Sequence, residues 1–225
     1  MARLSNATTP FHCERTKRCG RRGRNFAGDG RVAADERFRA ALHSLVNALN
    51  EVPAPSMIIG GVAVIAAGVP RQTIDIDATV LGREVEVDAV IEALGRYDIV
   101  PRISDIREFA RDHQVLLLQH APSGVTIEVS FAWLPFEEEA LSHAREIDVE
   151  GLSLRVARAE DLIVYKAAAW RDRDRSDIER LLVLHLGEID IMRVRGLVEE
   201  IGSALDDPNR VDAFDRMVTQ ARKAQ

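Results

Sequence analysis

From residue 35 onward apolar positions recur at helical spacing, with Phe38, Leu42, Leu45, Val46 and Leu49 on one face. The pattern stops at Val52-Pro53-Ala54-Pro55, whose prolines cannot continue a helix. A first helix is therefore predicted over 35–52. The apolar run Met57-Ile58-Ile59 reads as a short strand, Gly60-Gly61 as a turn, and the small residues of 62–68 as a buried helix. Strict alternation over 73–80 predicts a second strand. It places Ile74, Ile76, Ala78 and Val80 on one face and Thr73, Asp75, Asp77 and Thr79 on the other. A helix follows over 84–94, with Val87, Val90, Ile91 and Leu94 on its apolar side.

After a mixed polar stretch, strand signals return at 115–119 and 125–131. These flank Ala121-Pro122-Ser123-Gly124 and predict a hairpin with a longer turn. A second pair is expected at 146–149 and 152–156, around Glu150-Gly151. The rest reads as helices over 160–170, 175–185, 189–201 and 208–221, with Gly187 and Gly202 at stop positions. No repeat of solenoid period occurs. The expected class is α+β: a mixed sheet flanked by helices over 35–157, then a helical bundle over 158–225.

With 46% apolar residues in 225, the chain can bury a core in one domain, which excludes disorder along its whole length. No apolar run reaches the roughly 18–20 residues of a membrane span, and 1–24 lacks the apolar centre of a secretion signal. A soluble cytoplasmic protein with no membrane partner is expected. The net charge of −6 is uneven: residues 1–34 carry eight Arg or Lys against two acids, a local +6, which leaves −12 for the rest. That balance suits solubility and not a general nucleic-acid platform, and 1–34 reads as a disordered basic leader. Cys13 and Cys19 both fall in this polar segment, where no packed framework would hold a disulfide.

Candidate chemistry centres on Asp75 and Asp77. Aspartate is poorly suited to strands, and two at i and i+2 on one face repel each other unless a cation lies between them. Hard oxygen donors of this kind point to Mg2+ or Mn2+. Gly60-Gly61 lies upstream, after a strand and before a helix, where exposed backbone amides can hold phosphate oxygens. Arg71 lies between the two elements, either a triphosphate contact or an ordinary surface arginine. Glu128 lies on the polar face of another alternating strand with Thr126 and Ser130. If that strand neighbours the first, three carboxylates meet on one face, a set suited to a two-metal clamp.

Ile59-Gly60-Gly61, the segment Arg71-Gln72-Thr73-Ile74-Asp75-Ile76-Asp77, and Glu128 together resemble the DNA polymerase beta-like nucleotidyltransferase superfamily, more narrowly the abortive-infection toxin type of minimal nucleotidyltransferase. A second block, Glu160-Asp161-Leu162-Ile163-Val164-Tyr165-Lys166 followed by 171–182, is similar to the signature those proteins carry after the sheet. The resemblance implies that Asp75, Asp77 and Glu128 bind divalent metal, that Gly60 and Gly61 cradle a nucleoside triphosphate with Thr73 beside them, and that Lys166 offsets its charge. Asp161 reads as a first-turn helix acid, and Arg171, Asp174 and Asp177 as a salt-bridged exposed face, with Asp177 a further candidate contact to the nucleotide. The implied activity is transfer of a nucleoside monophosphate to a tRNA 3′ end or a protein hydroxyl, by a toxin countered by an antitoxin. Two alternatives remain: an antibiotic-type small-molecule nucleotidyltransferase, or a nucleotide-binding protein without catalysis. The sequence departs from the family at Gly61, where many members have serine, and at Glu128, where aspartate is commoner.

Overall fold

Seven strands form one mixed sheet among the described residues, 29–149 and 151–225 of this computed structural model. They are β1 (Ser56–Ile59), β2 (Asp75–Leu81), β3 (Ile99–Pro101), β4 (Val115–His120), β5 (Thr126–Ala132), β6 (Arg145–Val149) and β7 (Leu152–Val156). Their spatial order is β3-β4-β5-β2-β1-β7-β6. The β2–β5 and β1–β7 pairs are parallel and the other neighbours antiparallel. The helices among the described residues are α1 (Asp29–Glu51), α2 (Gly60–Ala66), α3 (Val87–Gly95), α4 (Ile106–His113), α5 (Pro135–Ser142), α6 (Ala159–Ala169), α7 (Asp172–His185), α8 (Ile191–Ala204) and α9 (Asn209–Ala224). The class is α+β, and none of these helices is long and apolar enough to cross a membrane.

Alternation sets what each face of the central strands does. Ile76, Leu116, Leu118, Ile127 and Val129 are fully buried, while Asp75, Asp77, Leu117 and Glu128 between them keep some contact with solvent. One face closes the core, and each fully buried Leu or Ile there stabilises the fold by about 1.5–3 kcal/mol. The other face keeps its carboxylates accessible. The C-terminal helices are tied together by Arg210 of α9, whose Nη1 donates to the carbonyls of Ala167 (2.7 Å) and Ala168 (3.1 Å). Its guanidinium also lies 5.3 Å from the Trp170 ring centre. This contact closes the C-terminal end of α6, where the last carbonyls lack helical partners.

Several expectations need correction. Residues 1–28 of the expected leader, with Cys13 and Cys19, lie outside the described residues, whereas 29–34 are the first turns of α1. β2 starts at Asp75, not at residue 73, so Ile74 escapes the alternation and is 82% exposed instead of facing the core. The expected helix over 84–94 is split into a short 3-10 turn, Gly82–Glu84, and α3. β3, α4 and α5 were not anticipated. β3 has three residues, too few to show a period, and α4 buries only Ile106 and Ala110. α5 begins at Pro135, which suits a first helical turn, and the Glu137 carboxylate accepts from the N–H groups of Trp133 (3.0 Å) and Leu134 (3.1 Å). Gly202 is not a stop but an interior residue of α8. Its Cβ position lies 2.8 Å from the Asp207 carbonyl oxygen, so glycine is needed for the returning chain to approach.

Candidate active site

β2 and β5 are adjacent and parallel, with Asp77 paired to Glu128 and Asp75 to Thr126. On the other side of β2, Ile59 of β1 pairs with Asp77, so the glycine turn at the start of α2 abuts that carboxylate. The three acids therefore share one face of two neighbouring strands, with the glycine turn beside them. They line a cleft of about 270 Å³ together with Gly60, Ser130 and, from the helices above, Leu162, Tyr165, Lys166, Arg171, Arg173 and Asp174.

The electrostatics are those of crowded negative charge. Burial pushes the Asp77 carboxyl above its ordinary pKa, and the charges of Asp75 and Glu128 push it the same way. The Gly61 amide and the Lys166 ammonium act in the opposite direction without cancelling the rise. Asp75 is oriented by Thr73, whose Oγ1 donates to Asp75 Oδ1 at 2.9 Å. Glu128 turns toward Arg102, with Oε1 3.5 Å from Nη2.

Arg71, Lys166, Asp174 and Asp177 form a buried ion network. Arg71 Nη1 donates to Asp177 Oδ2 at 2.5 Å, and Lys166 Nζ lies 2.9 Å from Asp174 Oδ1 and 3.2 Å from Asp177 Oδ2. All four side chains are at most 10% exposed. This corrects the exposed-face reading of Asp174 and Asp177: they are salt-bridged, but inside the protein. Arg71 is not a surface arginine either, and it does not line the cleft. Asp177 faces two cations rather than the cleft. Asp161 lies in the first turn of α6 as expected, yet it is fully buried between Arg158 (3.2 Å) and Arg193 (3.1 Å).

Gly61 has a structural reason. Its Cβ position lies 2.3 Å from Thr73 Oγ1 and 3.2 Å from Arg71 Nη2, so the space a serine would need is filled by the Thr73 side chain. Glycine at 61 is thus coupled to Thr73.

Two cations near the acids were not anticipated. Arg173, at the N-terminal end of α7, lines the cleft and makes no hydrogen bond or ion pair with any described residue, whereas Arg102 lies outside the cleft lining and contacts Glu128. Both fall in polar stretches without periodicity, where only the fold shows which arginines face the acids. A second hollow of about 310 Å³ lies between the end of α2, β6, β7 and the end of α7. Its charges are already matched, Arg158 to Glu160 (2.6 Å) and Arg145 to Glu188 (3.8 Å).

The donor set of Asp75, Asp77 and Glu128 suits a hard divalent cation by its all-oxygen chemistry, and Asp77's pKa, raised first by burial and then by the charges of Asp75 and Glu128, reflects a negative charge that such an ion would stabilise. As they stand, no three His, Cys, Asp or Glu side chains among the described residues are grouped closely enough to hold an ion. The Glu128 backbone is level with Asp77 on the neighbouring strand.

A family model described as nucleotidyltransferase of unknown function, DUF6036, matches residues 38–223. The chain belongs to this nucleotidyltransferase family. As a member it is a transferase, and the matched span holds the three acids, the glycine turn and the ion network. Among solved structures, the antibiotic-resistance factor ANT(2'')-Ia in solution is similar at 21% identity over 81% of this chain and 97% of that one, with a TM-score of 0.46. The crystal structure of ANT(2")-Ia in complex with adenylyl-2"-tobramycin gives 19% identity over 76% and 99%, TM-score 0.49. An antigenic nucleotidyltransferase-like protein from Paracoccidioides brasiliensis gives 15% over 83% and 93%, TM-score 0.46. No curated protein matches the chain in sequence.

Proposed function

We propose that this nucleotidyltransferase is metal-dependent, transferring a nucleoside monophosphate from an NTP to a hydroxyl acceptor at the cleft formed by Asp75, Asp77 and Glu128. The observation that carries the reading is the pairing of Asp77 with Glu128 across parallel strands, with Asp75 two residues away on the same face. In the transfer, the acceptor oxygen bonds to the α-phosphorus, its proton passes to solvent water, the bond from that phosphorus to the α–β bridging oxygen breaks, and pyrophosphate departs carrying that oxygen. Bound Mg2+ or Mn2+ would lower the acceptor hydroxyl's pKa and stabilise charge on the leaving group.

The chain's own residues do the rest. Asp75 and Asp77 would hold the metal, with Thr73 fixing the Asp75 rotamer and Glu128 as the third carboxylate that would complete the set. Gly60 leaves room for Asp77 beside the turn, and the Gly61 amide stabilises that carboxylate, so the turn would meet the polyphosphate next to the acids. Lys166 contributes positive charge from the cleft wall, tempered by Asp174 and Asp177, so Arg173 is the cleft cation with no competing partner among the described residues. Arg71 and Asp177 act behind the cleft as supports and not as nucleotide contacts.

For the acceptor, the resemblance favours a tRNA 3′ end or a protein hydroxyl in a toxin–antitoxin setting. Incubation with α-labelled NTPs, total RNA and total protein shows which becomes labelled, and an aminoglycoside arm tests small-molecule transfer. Asp77→Ala should remove both label and pyrophosphate release by about 10²–10⁴-fold, the scale of losing several kcal/mol of metal stabilisation. Nucleotide binding without pyrophosphate release from the unaltered protein, whatever the acceptor, would leave a binding protein and end the enzymatic reading.

A further inference from the structure

Arg102, Leu117, Glu128 and Asp77 form one row across four segments of the sheet. The Arg102 N–H donates to the Leu117 carbonyl at 2.9 Å, continuing the register in which Pro101 pairs with Leu118. Leu117 in turn pairs with Glu128, and Glu128 with Asp77. Residues paired across strands project to the same face, so the guanidinium reaches over Leu117 and meets Glu128 from the side opposite Asp77. The contact is 3.5 Å, with the two side chains 33% and 45% exposed. Neither has another ion-pair partner among the described residues.

Glu128 is therefore placed between two possible partners. On one side is Arg102, and on the other the position where Asp75 and Asp77 present their oxygens. With the carboxylate on Arg102, the three acids do not group around a point, which is the state observed. An exposed ion pair is weak enough to yield to a doubly charged ion yet sufficient to bias a side chain between two rotamers. Glutamate in place of the shorter aspartate is what lets one carboxylate serve both positions. We propose that Arg102 holds Glu128 away from the metal position in the metal-free protein and releases it when the ion binds, so that Arg102 sets metal affinity through Glu128. This rests on the metal-dependent reading above.

The test measures Mn2+ binding directly, from the loss of the free-ion electron paramagnetic resonance signal, without nucleotide or acceptor. Arg102→Gln should bind Mn2+ about two- to fivefold more tightly, the scale of releasing one exposed pair. Arg102→Lys, which keeps the charge, should stay near the unaltered protein. In a Glu128→Gln background the Arg102→Gln gain should vanish, because no carboxylate remains to be released. Unchanged or weaker binding by R102Q overturns the proposal. An equal gain in both backgrounds also overturns it, since Arg102 would then act as a bare charge. Asp77→Asn separates the two levels of failure. If D77N binds Mn2+ as the unaltered protein does, the metal site is misplaced and both readings fall; if D77N weakens binding while R102Q changes nothing, only the role of Arg102 falls.

Discussion

A methyl group on Gly60 would lie 1.8 Å from Asp77 Oδ2, and Gly60 has φ +60°, in the left-handed region that residues with a Cβ rarely occupy. Both facts forbid a side chain where the turn meets the carboxylate. Gly60→Ala is expected to lower stability by at least about 1–2 kcal/mol from backbone strain alone. The methyl group must also displace Asp77, so transfer activity should fall further than the loss of folded protein explains. Pyrophosphate release normalised to the folded fraction, from circular dichroism, checks this.

The contrast at Gly61 gives a second prediction. Serine, the residue that the resemblance to polymerase beta-like nucleotidyltransferases leads one to expect at this position, should impair this chain, because its Cβ would lie 2.3 Å from Thr73 Oγ1. Thr73→Ala removes the obstructing hydroxyl but also the bond that orients Asp75, and it keeps the Cβ that lies 2.8 Å from the Gly61 Cβ position, so the relief is partial. Gly61→Ser combined with Thr73→Ala should therefore be more stable than Gly61→Ser alone, while remaining less active than the unaltered chain. Thermal midpoints and initial rates of all three variants decide it; additive losses in stability would show that the two positions are not coupled.

How far the site was legible follows from the same residues. Asp75, Asp77 and Glu128 were readable because alternation fixes which face a strand residue takes. The β2–β5 adjacency that brings Glu128 level with Asp77 was a condition the sequence could state and not meet by itself, since pairing partners are set by topology. Gly202 and Ile74 were misread for a related reason. A glycine reads as a stop or a close-packing position according to what approaches it, and Ile74 reads as core only if the strand includes it. The charge-dense stretch 171–177 was the least legible. Charged residues are usually solvated, and the burial of Asp174 and Asp177 depends on Arg71 and Lys166 arriving from elsewhere in the chain.

That buried network predicts a stability effect distinct from catalysis. Asp177→Ala deprives Arg71 of its carboxylate, whereas Lys166 retains Asp174 at 2.9 Å. Breaking a buried pair by removing one partner costs about 3–5 kcal/mol, and the surviving Lys166 contact places this case at the lower end. For a chain of this size, about 3 kcal/mol corresponds to a fall of roughly 6–12 °C in thermal midpoint. Changing both partners, as in Arg71→Met with Asp177→Leu, removes the stranded charge and should recover much of the loss. A double variant no more stable than Asp177→Ala would show that the network does more than neutralise buried charge.

The raised pKa of Asp77 carries a pH dependence with a defined sign. Its carboxyl is shifted upward from the ordinary value of 3.8, first by burial and then by Asp75 and Glu128. Between the ordinary value and the raised one, the folded protein holds a proton that the unfolded chain has released. Stability therefore falls as pH rises through that window, and above it the penalty for an ionised Asp77 is complete. Asp77→Asn removes the penalty without altering shape, so in the absence of divalent ions this variant should melt above the unaltered protein at pH 7, by about 2–4 °C for each kcal/mol recovered. The difference should shrink as pH falls through the raised pKa, where the unaltered carboxyl becomes protonated. Added Mg2+ should close the gap at neutral pH from the other side, because an ion that binds the carboxylates stabilises only the unaltered chain. Melting curves of both proteins across pH, with and without Mg2+, decide the matter. A difference that persists unchanged at acid pH would mean that Asp77 does not bear the strain assigned to it.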